Sequence, residues 1–477
     1  MKPNQTVNHK QALIILTSLF FMWGFITCLN DILIPYLKKI FELTYFRAML
    51  VQFAFFGAYF IGSLFYLLIS FWKDPISIIG YKKGIIIGLL ISAFACLMFY
   101  PASEMHSYPV FLSALFILGL GFTLLQITAN PFVAILGTQE TASSRLNLAQ
   151  GFNSLGTTIA PIIGGYFIFH FFNKWGTAIL NDKGAQVLTD SGDVITALGI
   201  QIPYIIFAGI FVLLAVVFYF SKLPEVKNEE SAQGGFEVFK YRHLMLGFVA
   251  IFMYVGAEVA IGSMIINYLG ETMAMPEMEA KSFLAFYWGG AMIGRFLGAI
   301  SLNDKYSQKK KLLSMSLISA LIFLFIFTIV WFESSLSFVT FLPYIGFMIL
   351  NLILFYLAKS SPSRALMLFA LAIIGMLTIT LFFDYSWVMW CIISIGLFNS
   401  IMWSNIFTLS IKGLGKHTAQ GSSILIMAIL GGALLPLLQG YLADIMGVVA
   451  SFIVPLAAYI YLLYYGALGY KVKNQKN

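Results

Sequence analysis

The sequence predicts an all-α integral membrane protein of fourteen spans, built as two six-helix repeats with one inserted helix pair. Three observations carry that prediction: an apolar composition, a one-sided distribution of basic residues, and a repeat at constant offset. Of the 477 residues, 60% are hydrophobic and 10% charged, against roughly 25% charged in a soluble domain. Mean hydropathy is +0.89, so length here counts spans and not soluble cores. The net charge of +8 sits in short loops, where membrane topology accounts for it and no nucleic-acid partner is implied. Cys28, Cys96 and Cys391 all lie in apolar runs, without metal spacing or a disulfide framework.

A span needs about 20 apolar residues. Fourteen stretches qualify: 12–37, 47–71, 84–102, 108–137, 145–170, 200–221, 242–270, 280–302, 312–333, 337–357, 365–383, 386–411, 418–442 and 447–469. The first is too long for a cleaved signal and lacks a small-residue cleavage site. With both termini cytoplasmic, 21 of the 28 basic residues fall on inside segments and six on outside loops, leaving Arg295 alone within a span. A thirteen-span reading would reverse this bias across half the chain, which the positive-inside rule disfavours. The organisation expected is a tail at 1–11, a first bundle at 12–221, a charged cytoplasmic linker at 222–241, a second bundle at 242–470 and a tail at 471–477. The polar outside loop 171–199 and the linker read as solvated connectors.

The halves repeat. The stretch from Gly121 to Tyr166 matches Gly396 to Tyr441 at an offset of 275 residues, pairing Asn130 with Asn405, Phe132 with Phe407, Gly156 with Gly431 and Pro161 with Pro436. Nearer the start of each half, FMWG at 21–24 faces MYVG at 253–256 and Gly57 and Gly62 face Gly289 and Gly294, at 232. The jump from 232 to 275 is 43 residues, close to two helices with their turns. It places an inserted pair at 312–357, and inserting helices in pairs preserves the orientation of everything downstream. Apart from Asn351 this pair is almost free of polar residues, so it reads as a peripheral, lipid-facing hairpin.

Three ionisable groups lie well inside spans: Asp31, Glu258 and Arg295. Burying a charge in a bilayer costs at least ~2.5–3.5 kcal/mol, so each is expected to face protein and have a partner. Asp31 and Glu258 sit on the first helix of each half and are candidates for cation coupling, since a desolvated acid takes up a proton near neutral pH. Two blander readings stand beside this: Asp31 at the outer water interface, and Glu258 in a buried pair with Arg295. Arg295 cannot lose its proton, so it reads as a countercharge or a cytoplasmic gate. Uncharged amides form the candidate substrate set: Asn30, Gln126, Asn130, Gln150, Asn153, Asn267, Asn399 and Asn405. Gln126 and Asn130 share one helix face, as do Gln150 and Asn153. Amides both donate and accept, which suits a substrate bearing many hydroxyls. Trp23, Tyr254 and Trp403 supply flat faces for a sugar ring, with Phe152, Tyr204 and Trp288 as further aromatics. Each amide could instead join helices by a bond worth ~0.6 kcal/mol or a little more. No histidine is central in a span, and there is no phosphate loop or H-E-x-x-H motif. No cofactor is expected, and the energy source would be a sodium or proton gradient or the substrate gradient itself.

FFMWGFITCLNDILIPYL, LQITANPFVAILG, RLNLAQGFNSLGT, YVGAEVAIGSMIINYL and LGKHTAQGSSILIMAILGGALLPLLQGYLAD together resemble the fucose:proton symporter family of the major facilitator superfamily, its glucose/galactose and N-acetylglucosamine permease branch above all. That resemblance implies the major facilitator fold and a monomeric, multi-pass importer of a neutral monosaccharide in the bacterial inner (cytoplasmic) membrane. Its partners would be sugar and membrane lipid. It covers 12–222, 242–302 and 364–470. In the fucose permeases the aspartate of L-N-D and a glutamate before the A-N-P motif are the protonation and sugar-binding acids. Asp31 matches the first. Gln126 stands in place of the second and cannot titrate. Conversely, Glu258 stands where the fucose branch has glutamine, so the acid has moved from one half to the other. This places the chain nearer the glucose/galactose type, some of which couple to sodium; any metal would be a sodium ion near Asp31 or Glu258. A second departure is Ser404–Asn405, where relatives carry P-T.

Other classes weigh less. An exporter or facilitator of amphipathic compounds would want a wider, more apolar cavity than clustered amides give. A transporter-like sensor would want an appended signalling domain. An enzyme would want acids or histidines clustered at a water interface, and none is found.

Overall fold

The computed structural model describes residues 9–41, 45–166, 171–179, 186–187, 194–221, 223, 236–275, 277–303, 306–334 and 336–472; within them the side chains of 29–36 and 161–166, among a few others, lie outside what is described. Among the described residues the regular elements are helices, beside one isolated β-bridge between Ala178 and Thr196. The helices of the first sequence half are α1 (His9–Ile40), α2 (Tyr45–Ser70), the short α3 (Pro75–Ile79), α4 (Tyr81–Glu104), α5 (Tyr108–Ile135), α6 (Ala142–Tyr166) and α7 (Leu198–Phe220). Those of the second are α8 (Arg242–Met273), α9 (Glu277–Ser301), α10 (Gln308–Ser334), α11 (Leu342–Ala358), α12 (Pro362–Phe382), α13 (Met389–Asn399), α14 (Met402–Ser410), α15 (Thr418–Met427), α16 (Gly431–Met446), α17 (Val448–Ser451) and α18 (Ile453–Tyr464). At 1.5 Å per residue the 24 residues of α4 reach about 36 Å, enough for a hydrocarbon core of roughly 30 Å.

Thirteen helical stretches among the described residues are long and apolar enough to cross a membrane. The span expected at 145–170 falls on α6, whose Arg145, Asn147, Gln150 and Asn153 make it the most polar of the long helices.

The chain forms two compact units. One comprises 1–132, 155–235 and 422–427; the other comprises 133–154, 236–421 and 428–477. The segment 147–152 of the first repeat and its equivalent 422–427 in the second are thus each grouped with the opposite half of the chain. In the first unit α4 packs along α7. Lys82 Nζ secures that pair by donating to the Tyr219 and Ser221 carbonyls at 2.9 and 2.7 Å, which a helix C-terminus otherwise leaves unbonded. In the second unit α12 packs along α18, α8 along α16 and α9 along α13.

The inserted pair is α10 and α11. α10 lies against α9, and α11 touches α9, α12 and α13. Only 28% of each is buried, against 94% of 386–410, so the hairpin is peripheral within its unit. Its few polar groups tie it inward: Tyr344 donates to the Phe286 carbonyl at 2.9 Å and Asn351 to that of Leu397 at 3.1 Å. Tyr344→Phe removes one such bond between buried groups. Its expected cost is ~0.6–1.7 kcal/mol, read as a lower unfolding temperature in detergent with transport unchanged.

Two expected spans prove discontinuous. The span 386–411 breaks at Ser400 and Ile401 between α13 and α14, and 418–442 passes through a 3₁₀ turn at Ala428–Leu430 between α15 and α16. At the first break the Ser400 carbonyl accepts from Arg295 Nε at 3.4 Å.

Candidate functional site

In the first unit the chemistry gathers on α5. Gln126 and Asn130 are one turn apart and buried. Asn130 Nδ2 donates to the Gln126 backbone carbonyl at 3.1 Å and to its side-chain oxygen at 3.5 Å. Asn130 Oδ1 is buried with no hydrogen-bond partner. Pro131 has no N–H to give the helix, so α5 is locally under-bonded where these amides sit. Tyr59 lies against both Gln126 and Trp23, and Trp23 meets Phe122 edge-on at 6.2 Å. The structure therefore brings Trp23, Gln126 and Asn130 to one neighbourhood through Tyr59, which sequence reading missed. The side chains of Asn30 and Asp31, on α1, lie outside the described residues.

In the second unit the centre is Glu258 on α8. Its carboxylate stands 3.9 Å from Arg295 Nη2, both groups being mostly buried. Arg295 reaches three elements at once: Glu258, the Ser400 carbonyl, and the Ser154 hydroxyl on α6, to which Nη1 donates. Tyr254, one turn before Glu258, lies against its carboxyl. The backbone behind Glu258 is held separately. Tyr287 donates to the Glu258 carbonyl at 2.8 Å, Asn399 Nδ2 donates to Tyr287 Oη at 2.9 Å, and Tyr459 donates to Asn399 Oδ1. The sequence set Glu258, Arg295, Tyr254 and Asn399 is thus one connected network, with Asn399 occupied at both ends by tyrosines.

The remaining candidates divide. Asn405 is fully buried: its Nδ2 donates to the Pro362 carbonyl at 3.2 Å and its Oδ1 accepts from Asn147 at 3.4 Å. Trp403 stacks on Phe407 with centroids 6.1 Å apart, and its indole N–H has no partner. Gln150 is buried and Asn153 half-buried on α6, both grouped with the second unit. Asn267 stands apart, exposed, with its amide 3.8 Å from the Met264 sulfur. Sequence reasoning missed Tyr287, Tyr459, Asn147, Ser154 and Ser400. Of these only Asn147, three residues before Gln150 on the same helix, carried a usable signal.

A family model of the Major Facilitator Superfamily matches residues 14–342, more than half of the chain. The chain belongs to the Major Facilitator Superfamily. A glucose/galactose transporter of Brucella abortus is 40% identical over 469 residues, covering 97% of this chain and 95% of its own. An L-fucose-proton symporter of Escherichia coli is 31% identical over 448 residues, covering 91% and 87%. The crystal structure of the superfamily transporter FucP in the outward conformation superposes with a TM-score of 0.73 at 28% identity, covering 95% of this chain and 97% of that one. These relatives bear out the resemblance read from the motifs, and with it the all-helical major facilitator fold. Its relatives are named as transporters, and this Major Facilitator Superfamily member is a multi-pass membrane transporter and not an enzyme.

Proposed function

We propose that the chain imports a neutral monosaccharide by cation-coupled alternating access, with glucose or galactose as the first candidates. The observation that carries this reading is the Glu258–Arg295 pair, an acid and its countercharge buried together within the second unit. Intramembrane charge of this kind marks substrate and ion pathways. One acid, one arginine and several amides and aromatics buried among the helices suit a polyhydroxylated, uncharged ligand, because amides match hydroxyls and flat rings match the CH face of a pyranose. An anionic ligand would want further buried cations. The named activities of the relatives, glucose/galactose transport and L-fucose–proton symport, support the same class.

Glu258 takes the coupling cation in this reading, with Asp31 as its counterpart on α1. Arg295 is the fixed countercharge. Gln126, Asn130, Gln150 and Asn153 are the sugar-binding amides of this reading, and Trp23, Tyr254 and Trp403 its aromatic faces. The chain works as a monomer in the bacterial inner membrane with both termini cytoplasmic.

Uptake into proteoliposomes is the test. Labelled glucose, galactose, N-acetylglucosamine and fucose are offered with sodium and pH gradients imposed separately. Saturable accumulation above equilibrium under one gradient is the expected result. Equilibration alone under both would remove the coupling, and no uptake of any of the four would remove the sugar.

A further inference from the structure

The loop joining α5 to α6 and the loop joining α14 to α15 wall a cavity of about 340 Å³. Its construction follows the internal repeat. Ala134 and Leu409, Gly137 and Lys412, and Ser143 and Thr418 all line it, and the members of each pair stand 275 residues apart. The same segment of each repeat therefore supplies a wall, with Pro362 at the start of α12 closing a third side. No residue placed in the proposed transport site lines it.

Beneath the cavity runs a continuous polar seam. Ser143 and Thr408 share a hydroxyl–hydroxyl bond of 2.5 Å. Next along α6, Ser144 donates to the Ala299 carbonyl at 2.5 Å and Asn147 to Asn405 Oδ1 at 3.4 Å. The seam ends where Ser154 accepts from Arg295. Four rungs on one face of α6 thus bind a first-repeat helix to α9 and α14 of the second repeat. The charge bias places both cavity loops on the cytoplasmic side.

The rim chemistry selects a class of ligand. Glu140 and Lys412, both exposed, line the cavity. The lining residues carry one carboxylate and one ammonium, and the neighbouring Arg145 guanidinium is taken up by the Val133, Ala134 and Thr138 carbonyls, so the wall favours an uncharged ligand over an anion such as a sugar phosphate. Gln139 adds an exposed amide, while Ile135, Leu409 and Ile411 supply apolar wall. Volume, a few convergent polar groups and an apolar lining are the attributes of a small-molecule site. The Glu140 carboxyl is held below the usual carboxylate range by its own backbone N–H and then by the Thr138 hydroxyl, so it accepts hydrogen bonds at neutral pH.

We propose that this cavity is a second, cytoplasm-facing binding site for a neutral polyhydroxylated molecule of monosaccharide size, and that its occupation keeps the seam beneath it shut. A ligand touching equivalent segments of both repeats binds only while they are together, so it stabilises that state by mass action. Accumulated product thereby slows its own further import. The sugar reading above enters only in the choice of probes.

Cysteine protection tests it without requiring transport. The exposed Gln139→Cys is modified by an impermeant maleimide in inside-out vesicles, after subtracting modification of the parent's Cys28, Cys96 and Cys391. Galactose and mannitol are the probes. At twice its Kd a probe that fills the cavity slows modification by about threefold, saturably. The protection persists when Glu258→Gln is added and falls when Glu140→Gln and Lys412→Gln are added together. No protection by either probe, or protection that disappears with Glu258→Gln, overturns the proposal. Should parent proteoliposomes take up no sugar, the function reading fails, and protection by mannitol still decides this one.

Discussion

Glu258→Gln abolishes concentrative uptake while leaving sugar counterflow. Glutamine keeps the length and hydrogen-bonding atoms of the side chain but cannot take up a proton or balance a cation. The tyrosine and asparagine scaffold is anchored on the Glu258 backbone carbonyl and not on its carboxylate, so the substitution leaves the α8 backbone where it is. The loss should fall on coupling, with exchange of labelled for unlabelled sugar across the membrane continuing. A stability cost accompanies it. Arg295 is mostly buried with its Nη2 3.9 Å from the carboxylate, and removing one member of a buried pair costs about 3–5 kcal/mol. Solvent reaching the partly exposed guanidinium, together with its bonds to Ser154 and Ser400, keeps the cost toward the lower end. Glu258→Gln with Arg295→Met separates the two effects: the double variant regains thermal stability in detergent and stays uncoupled. Uphill accumulation by Glu258→Gln at the parental level would remove Glu258 from the coupling role. A double variant no more stable than the single one would show that the pair contributes nothing to the fold.

Much of this architecture was legible because backbone geometry had written it into residue types. Gly156 and Gly431 stand at the offset of 275 residues, and each sits where a helix backbone passes against the first helix of its half. Such positions accept no side chain, so the repeat survives there in plain letters. The hairpin was legible because its exposed faces are held only to being apolar, which leaves Tyr344 and Asn351 as its inward-pointing polar groups. The breaks in 386–411 and 418–442 were not legible. Neither Ser400–Ile401 nor Ala428–Leu430 contains proline or glycine, and the first break is bound up with a tertiary contact from Arg295, which local propensity does not report. The chemistry of the site was half legible. Amides and acids inside apolar runs announce themselves, but their partners do not. Tyr287 and Tyr459 are two of 24 tyrosines spread through the chain and stand out by no spacing, yet they occupy both ends of Asn399 and fix the Glu258 carbonyl. The polarity of α6 marked it as functional while hiding what Asn147 and Ser154 bind.

Gly431→Ala lowers the unfolding temperature, whereas Gly57→Ala leaves it unchanged or raises it. Helix propensity alone favours alanine over glycine by roughly 0.8–1.0 kcal/mol in a helix interior, so any loss must come from packing. A Cβ at Gly57 meets nothing within 4 Å. At Gly431 it would run into the Phe252 carbonyl, with the rest of that residue's backbone close behind. Backbone cannot rotate away as a side chain can; α8 and α16 have to part. Overpacking of this kind costs ~1–3 kcal/mol and more where backbone must move, which exceeds the propensity gain, itself reduced because Gly431 opens α16. Separating α8 from α16 also carries Glu258 with it, so transport should fall further than the folded fraction does. Gly156→Ala repeats the experiment in the other half, since its Cβ would meet the Phe21 carbonyl and the Phe25 amide of α1. Equal thermal stability of Gly431→Ala and Gly57→Ala would mean that α8 and α16 do not approach through that glycine. The duplicated glycines would then mark common descent and not a contact.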